Sequence, residues 1–285
     1  RKILTSAEIP YELIFVDDGS QDTTWREIEN ASNIDSHVRG VGFSRNFGKE
    51  AAIFSGLSFS KGECCAVIDC DLQHPPDKLV EMYRLWQQGW EVVNGVKINR
   101  GSESIAHKWA ARCFYGLISR AIKMDMSRSS DYKLMDRKVV DTLLSLSERE
   151  TFFRALVGWV GYRSIDVEYS VQERVNGTTH FSTGSLIRYA ISNITAYSSA
   201  PMQIITILGS VFLVISIFLG FQTLFNWYRG NATDGFTTVI VLLLLIGSII
   251  MIGLGIIGYY ISKIFVECKA RPRYLIARHC GKLEC

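Results

Sequence analysis

The chain has 285 residues, a formal charge of +3 and 21% charged residues. That length accommodates one large domain or two smaller ones, and so small a charge, with no basic arm and no zinc-finger spacing, argues against a nucleic-acid partner. Seven cysteines (Cys64, Cys65, Cys70, Cys113, Cys268, Cys280 and Cys285) form no repeating framework, so reduced, cytosol-facing thiols are expected.

In residues 1–184, apolar runs alternate with amphipathic stretches, which predicts an α/β domain on a largely parallel sheet. The first strand is Leu13-Ile14-Phe15-Val16, ending in Asp17-Asp18-Gly19-Ser20. A helix follows from about Thr24, where Thr24 and Glu27 have the spacing of a capping box. A short strand at Val41-Gly42-Phe43 precedes a helix from Gly48 to Ser60. Ala66-Val67-Ile68 is the next strand, closed by Asp69-Cys70-Asp71. Pro75 and Pro76 punctuate the chain and Asp77 opens a helix striped by Leu79, Met82, Tyr83 and Trp86. Val92-Val93 starts a further strand. Then come a partly basic helix from Ile105 to Lys123, a helix from Lys138 to Leu146, a segment from Thr151 to Val160 and a strand from Ile165 to Tyr169.

Mean hydropathy is slightly positive, and the apolar excess is local. Ile204 to Phe225 and Phe236 to Ile261 carry no charge, and a run of roughly 20 apolar residues crosses a bilayer. The alternative, two buried core helices, leaves no soluble core large enough to cover them. Gly209, Gly220, Gly247, Gly253, Gly255 and Gly258 suit close helix packing in lipid and permit self-association into a homo-oligomer. Lys263, Lys269, Arg271, Arg273, Arg278 and Lys282 follow the second run, and this positive excess places the tail in the cytoplasm. Two crossings return the first domain to the same side. The expected organisation is a catalytic domain at 1–184, an amphipathic surface helix at 185–200, two membrane helices at 201–265 and a basic tail at 266–285.

Three acidic sites and one basic, glycine-containing stretch carry candidate chemistry. Asp69 and Asp71 close a buried strand, and hard oxygen ligands there suit Mg²⁺ or Mn²⁺ bridging a diphosphate; two carboxylates also often merely solvate a loop. Strand ends are where open α/β sheets bind ligands. Asp17 and Asp18 form a second acidic strand end, able to accept from a base or ribose, or simply to make a turn with Gly19. Asp131 precedes a helix and is either a helix cap or a carboxylate near sugar or acceptor. Arg174 and His180 lie in a glycine-containing stretch that could close over a diphosphate, or that is a solvated juxtamembrane loop.

Four blocks occur in order: Val16-Asp17-Asp18-Gly19-Ser20, Arg45-Asn46-Phe47-Gly48-Lys49, Asp69-Cys70-Asp71-Leu72-Gln73-His74-Pro75-Pro76 and Ser130-Asp131-Tyr132-Lys133-Leu134-Met135-Asp136-Arg137. They resemble glycosyltransferase family 2, in the branch of dolichol-phosphate mannose synthase and bactoprenol glucosyltransferase. The resemblance implies a GT-A (Rossmann-like) domain followed by two transmembrane helices. It implies inverting transfer of a hexose from a nucleotide sugar to a polyprenyl (undecaprenyl) phosphate at the cytoplasmic face of the plasma membrane. Glucose from UDP-glucose is the first expectation; GDP-mannose, UDP-GlcNAc, UDP-galactose and UDP-aminoarabinose are alternatives, and so is a catalytically degenerate membrane scaffold. Carried onto this sequence, Asp17 and Asp18 hold base and ribose, and Asp69, Asp71 and Gln73 hold Mg²⁺ or Mn²⁺ and the diphosphate. Asp131 is the catalytic carboxylate beside Asp71, Arg174 reaches the donor diphosphate or the acceptor phosphate, and Arg112 and Arg128 take the acceptor phosphate. The sequence departs from the family in two places. The opening Pro-x-Tyr-Asn-Glu strand is lacking, so a segment ahead of Arg1 is expected, and Thr179-His180 stands where Ser-Lys is common. A processive polysaccharide synthase is disfavoured because no Gln-x-x-Arg-Trp motif occurs.

Overall fold

The computed structural model describes residues 1–71, 73–97, 130–148, 152–170, 200–229 and 235–281. The chain divides into two compact units, Arg1–Arg188 with Arg271–Cys285, and Tyr189–Ala270.

The first unit begins with a short helix α1 (Lys2–Ser6) and the strand β1 (Leu13–Asp17). Helix α2 (Thr24–Ile34), strand β2 (Val38–Phe43), helix α3 (Lys49–Phe59) and strand β3 (Cys64–Val67) follow. Next come α4 (Lys78–Gln87), β4 (Val92–Lys97), β5 (Lys133–Asp136), α5 (Arg137–Ser145), α6 (Phe153–Trp159) and β6 (Ser164–Tyr169). After the second unit the chain returns as β7 (Ile276–Cys280).

The strands form two sheets, ordered β1-β2-β7 and β3-β5-β4-β6. Among the described residues, β1 with β2 and β4 with β6 are the parallel pairs; β7 is antiparallel to β2, and β5 is antiparallel to both β3 and β4. The expectation of a largely parallel sheet is thus corrected to a mixed one. The reason is local: β5 is a four-residue strand between Asp131 and α5, too short and too charged at its ends to register as an apolar run. The tail expected at 266–285 is corrected in the same way, since Ile276–Cys280 is a sheet strand whose Cys280, His279 and Arg278 pair with Gly40, Val41 and Gly42.

Helix α2 lies close on β2. A Cβ on Gly40 would stand 2.5 Å from Ile28 Cγ2 and 2.7 Å from Cys280 Sγ, so only glycine lets helix, strand and β7 meet there. Thr24 is not the cap of α2. Thr23 takes that position without a side-chain bond, and Asp22 Oδ1 accepts the Thr24 N–H at 2.9 Å. The stripe of α4 is as the sequence predicts. Met82 is fully buried with Val93, Tyr132, Leu134, Val167 and Tyr169, and Leu79, Tyr83 and Trp86 pack at its margin. A second cluster joins Val41, Phe43 and Ala51, with Phe47 and Tyr274 against it.

The second unit contains α7 (Ala200–Tyr228) and α8 (Phe236–Cys268). Among the described residues, one stretch, Leu245–Cys268, is long and apolar enough to cross a membrane by length and composition, with mean hydropathy 2.0 and 6% of it buried. Ile207–Gln222 is a shorter apolar stretch. Large apolar side chains such as Ile217, Phe218, Phe221, Met251, Leu254 and Ile261 stand exposed on these helices. The predicted helices at 105–123 and 185–200 lie outside the described residues, apart from Ala200, which starts α7.

Candidate active site

Asp69 follows the carboxyl end of β3, and Asp131 precedes β5, its antiparallel neighbour, so two residues distant in sequence arrive side by side. Lys49, the first residue of α3, joins them. Its ammonium lies 2.8 Å from each carboxylate oxygen of Asp69 and 2.7 Å from Asp131 Oδ2. Arg154 of α6 grips Asp131 from the other side, with Nε at 2.6 Å from Oδ1 and Nη2 at 2.7 Å from Oδ2.

The electrostatics follow from these contacts. Burial alone would raise the Asp131 pKa, but the hydrogen bonds and charge of Arg154, together with Lys49, outweigh it and hold the carboxyl well below the usual carboxylate range. Burial pulls Lys49 down, yet Asp131 and Asp69 prevail and keep its pKa above that of an ordinary lysine. Asp131 is therefore a fixed negative charge near neutral pH. A general base must be able to take up a proton near the working pH, and this carboxylate is not poised to do so. It is not a helix cap either: Asp136 caps α5, accepting the Lys138 N–H at 3.0 Å.

Asp71 and Gln73 sit in the same turn, where Asp71 Oδ1 accepts the Gln73 N–H at 3.1 Å. His74 secures that turn from beneath. It is buried, stacks on Tyr132 with ring centroids 5.0 Å apart, and its Nδ1 accepts the Asp69 N–H at 3.3 Å. Burial lowers its pKa, the neighbouring Asp69 opposing, so it is a neutral acceptor there. The Tyr132 hydroxyl donates to the Pro75 carbonyl at 3.0 Å, tying the turn to the residue after Asp131.

The second acidic strand end is built differently. The Asp17 side chain is fully covered; Oδ1 accepts the Ser20 N–H and Oδ2 receives Arg278, both at 3.0 Å. Arg278 also lies over the Trp25 ring at 4.6 Å. Direct contact of Asp17 with base or ribose does not fit this burial; the carboxylate supports the turn from behind. Asp18 accepts the N–H groups of Phe47 and Gly48 at 2.6 and 2.8 Å, locking the turn to the start of α3, where Lys49 begins. Gly19, at φ 73°, passes so near Arg45 that a Cβ would come within 2.4 Å of its carbonyl carbon.

Sequence reasoning left Lys49, Glu50, His74 and Arg154 without roles. Lys49 and His74 stand inside quoted motifs, which was the available signal; Arg154 reads as an ordinary charged helix residue. Glu50 accepts the Phe153 N–H at 2.8 Å, and burial raises its pKa to about 7. Arg112, Arg128, Arg174 and His180 lie outside the described residues. The donor set Asp69, Asp71 and Gln73 is all hard oxygen, the chemistry Mg²⁺ or Mn²⁺ prefers, and Asp69 already attracts a cation in the form of Lys49.

A model described as glycosyl transferase family 2 matches residues 2–144. The chain is 35% identical over 283 residues to the uncharacterised glycosyltransferase YkcC of Bacillus subtilis (strain 168), covering 99% of this chain and 88% of that one. It is 34% identical over 269 residues to a prophage bactoprenol glucosyl transferase homolog of Escherichia coli (strain K12), covering 94% and 88%. It is also 34% identical over 271 residues to the bactoprenol glucosyl transferase of Shigella phage SfX, covering 94% and 89%.

Proposed function

This chain belongs to glycosyltransferase family 2, with that family's GT-A-like α/β fold, and on that premise we propose that it moves a hexose from a nucleotide sugar to a polyprenyl phosphate at a membrane surface. The observation that carries the reading is the convergence of Asp69, Asp131, Lys49 and Arg154 beside the Asp71–Gln73 turn at the end of β3. Relatives named for bactoprenol glucosyl transfer support a lipid-phosphate acceptor, with UDP-glucose as the donor of first choice.

The acceptor phosphate is anionic near neutral pH and attacks the anomeric carbon directly, inverting its configuration. No strong base is needed, in keeping with the permanently ionised Asp131. Asp131, held rigid by Arg154, orients sugar or acceptor. Asp69, Asp71 and Gln73 would hold Mg²⁺ or Mn²⁺, which supplies Lewis-acid stabilisation to the departing nucleoside diphosphate. Asp18 fixes the loop that frames the nucleotide side, and Asp17 braces it from behind. Arg174 is assigned to the donor, and Arg112 and Arg128 to the acceptor phosphate.

The path of the chain supports two membrane spans. The chain leaves the first unit near Arg188 and rejoins it at Arg271, and β7 pairs with β2. A water-facing unit re-entered by its own chain requires an even number of crossings in between. If Leu245–Cys268 is one crossing, the apolar part of α7 supplies the other. The basic residues after α8 then support a cytoplasmic location for the first unit.

The test is transfer of radiolabelled sugar to undecaprenyl phosphate by membranes carrying the protein, with UDP-glucose first and the other nucleotide sugars beside it. Asp71→Asn should reduce lipid-linked product by more than about a hundredfold while the protein still inserts. Product at the wild-type level from that variant, or none from any donor with the wild type, refutes the proposal.

A further inference from the structure

Both oxygens of Asp69 face the Lys49 ammonium at 2.8 Å, and a divalent ion bound by Asp69 needs at least one of them. Asp131 does not depend on Lys49 for compensation, because Arg154 makes two further bonds to it. The Lys49 side chain is 48% exposed whereas that of Asp131 is 5% exposed, so the lysine is the partner with room to move. Its four-carbon stem and rotatable ammonium allow it to change partners without backbone motion.

We infer that Lys49 is an internal counter-cation: it holds Asp69 in the metal-free protein, yields that carboxylate when the divalent ion arrives, and then presents its ammonium to the nucleoside diphosphate. This rests on the metal-dependent reading above. It gives Lys49 a positioning role in the empty site and a donor-binding role in the loaded one. The exchange also keeps Asp69 from standing as an uncompensated negative charge beside Asp131 before substrate enters.

The experiment is calorimetric titration of the full-length protein in detergent, first with Mn²⁺ alone and then with UDP at saturating Mn²⁺. Lys49→Met keeps the stem and removes the charge. It should bind Mn²⁺ alone about three- to tenfold more tightly than wild type, and UDP about tenfold more weakly. Lys49→Arg retains a cation and should stay within about twofold of wild type for Mn²⁺. Unchanged or weaker Mn²⁺ binding by Lys49→Met, or an equal gain by Lys49→Arg, overturns the exchange while leaving the metal site intact. Absence of any Mn²⁺ or Mg²⁺ binding by wild type overturns the metal reading itself, and the inference with it.

Discussion

Removal of Arg278 tests whether the last strand is part of the catalytic unit. Asp17 is fully covered, and Arg278 reaches it at 3.0 Å from β7. Arg278→Ala leaves Asp17 Oδ1 bonded to Ser20 but strands Oδ2 as a buried negative charge. Breaking a fully buried pair costs about 3–5 kcal/mol. Arg278 is 42% exposed, so part of the interaction is already screened by water, and about 2 kcal/mol is the reasonable expectation. Loss of the guanidinium over Trp25 adds about 0.5–1 kcal/mol. For a unit of this size about 2–4 °C of Tm accompanies each kcal/mol, which gives a fall of about 5–12 °C. Thermal unfolding followed by tryptophan fluorescence in detergent measures it. Asp17→Asn removes the stranded charge, so the double variant should recover most of the loss, with a coupling of about 1–2 kcal/mol. A drop below about 1 °C for Arg278→Ala, or strictly additive single changes, refutes the clamp.

Other outcomes follow from the site. Glu50 has its pKa raised to about 7 by burial. Its native state therefore binds more protons than the unfolded chain from about pH 4.5 upward, and its destabilising effect is complete above pH 7. Glu50→Gln should consequently raise stability at pH 8 by about 1–3 kcal/mol and have little effect at pH 4.5, as read from unfolding at the two pH values. For Asp131 the sign is opposite: its depressed pKa stabilises the fold above the ordinary carboxylate value and is lost only as strong acid protonates it. Rate–pH profiles should accordingly show no limb belonging to Asp131 between about pH 5 and 9, and Asp131→Asn should lower kcat about a hundredfold without creating one. Gly19→Ala, strained at φ 73° and pressed on the Arg45 backbone, should cost more than about 2 kcal/mol in the same unfolding assay.

Much of the fold could be read from the residues. Leu13–Val16 and Val92–Val93 are apolar runs between turn residues, and the α4 stripe has helical spacing. What escaped detection was held by long-range contacts. β5 carries a lysine at its first position, which is buried and donates to Asn94 Oδ1 at 2.6 Å; nothing in Lys-Leu-Met-Asp announces that partner. β7 reads as a basic tail because Arg278 and His279 interrupt its apolar residues. Only the proximity of Asp17 and Trp25 explains why a charge belongs there. Asp69 and Asp131, which meet at Lys49, stood out from motif and position. Arg154, which fixes Asp131, was not, because an arginine on a short helix has no pattern until the opposing carboxylate is placed.

The pairing of β7 with β2 also dictates an order of assembly. Val38–Phe43 is buried throughout in the finished protein, yet the strand covering its open edge is translated some 240 residues later, after both apolar helices. During synthesis the nascent sheet must wait with that edge unpaired, and such an edge invites association with other chains. A domain cut near Ser199 would remain in that waiting state permanently. Synthesis of α7 and α8 and closure of the sheet are thereby placed in sequence, and Arg278 reaches Asp17 only after both helices have been made.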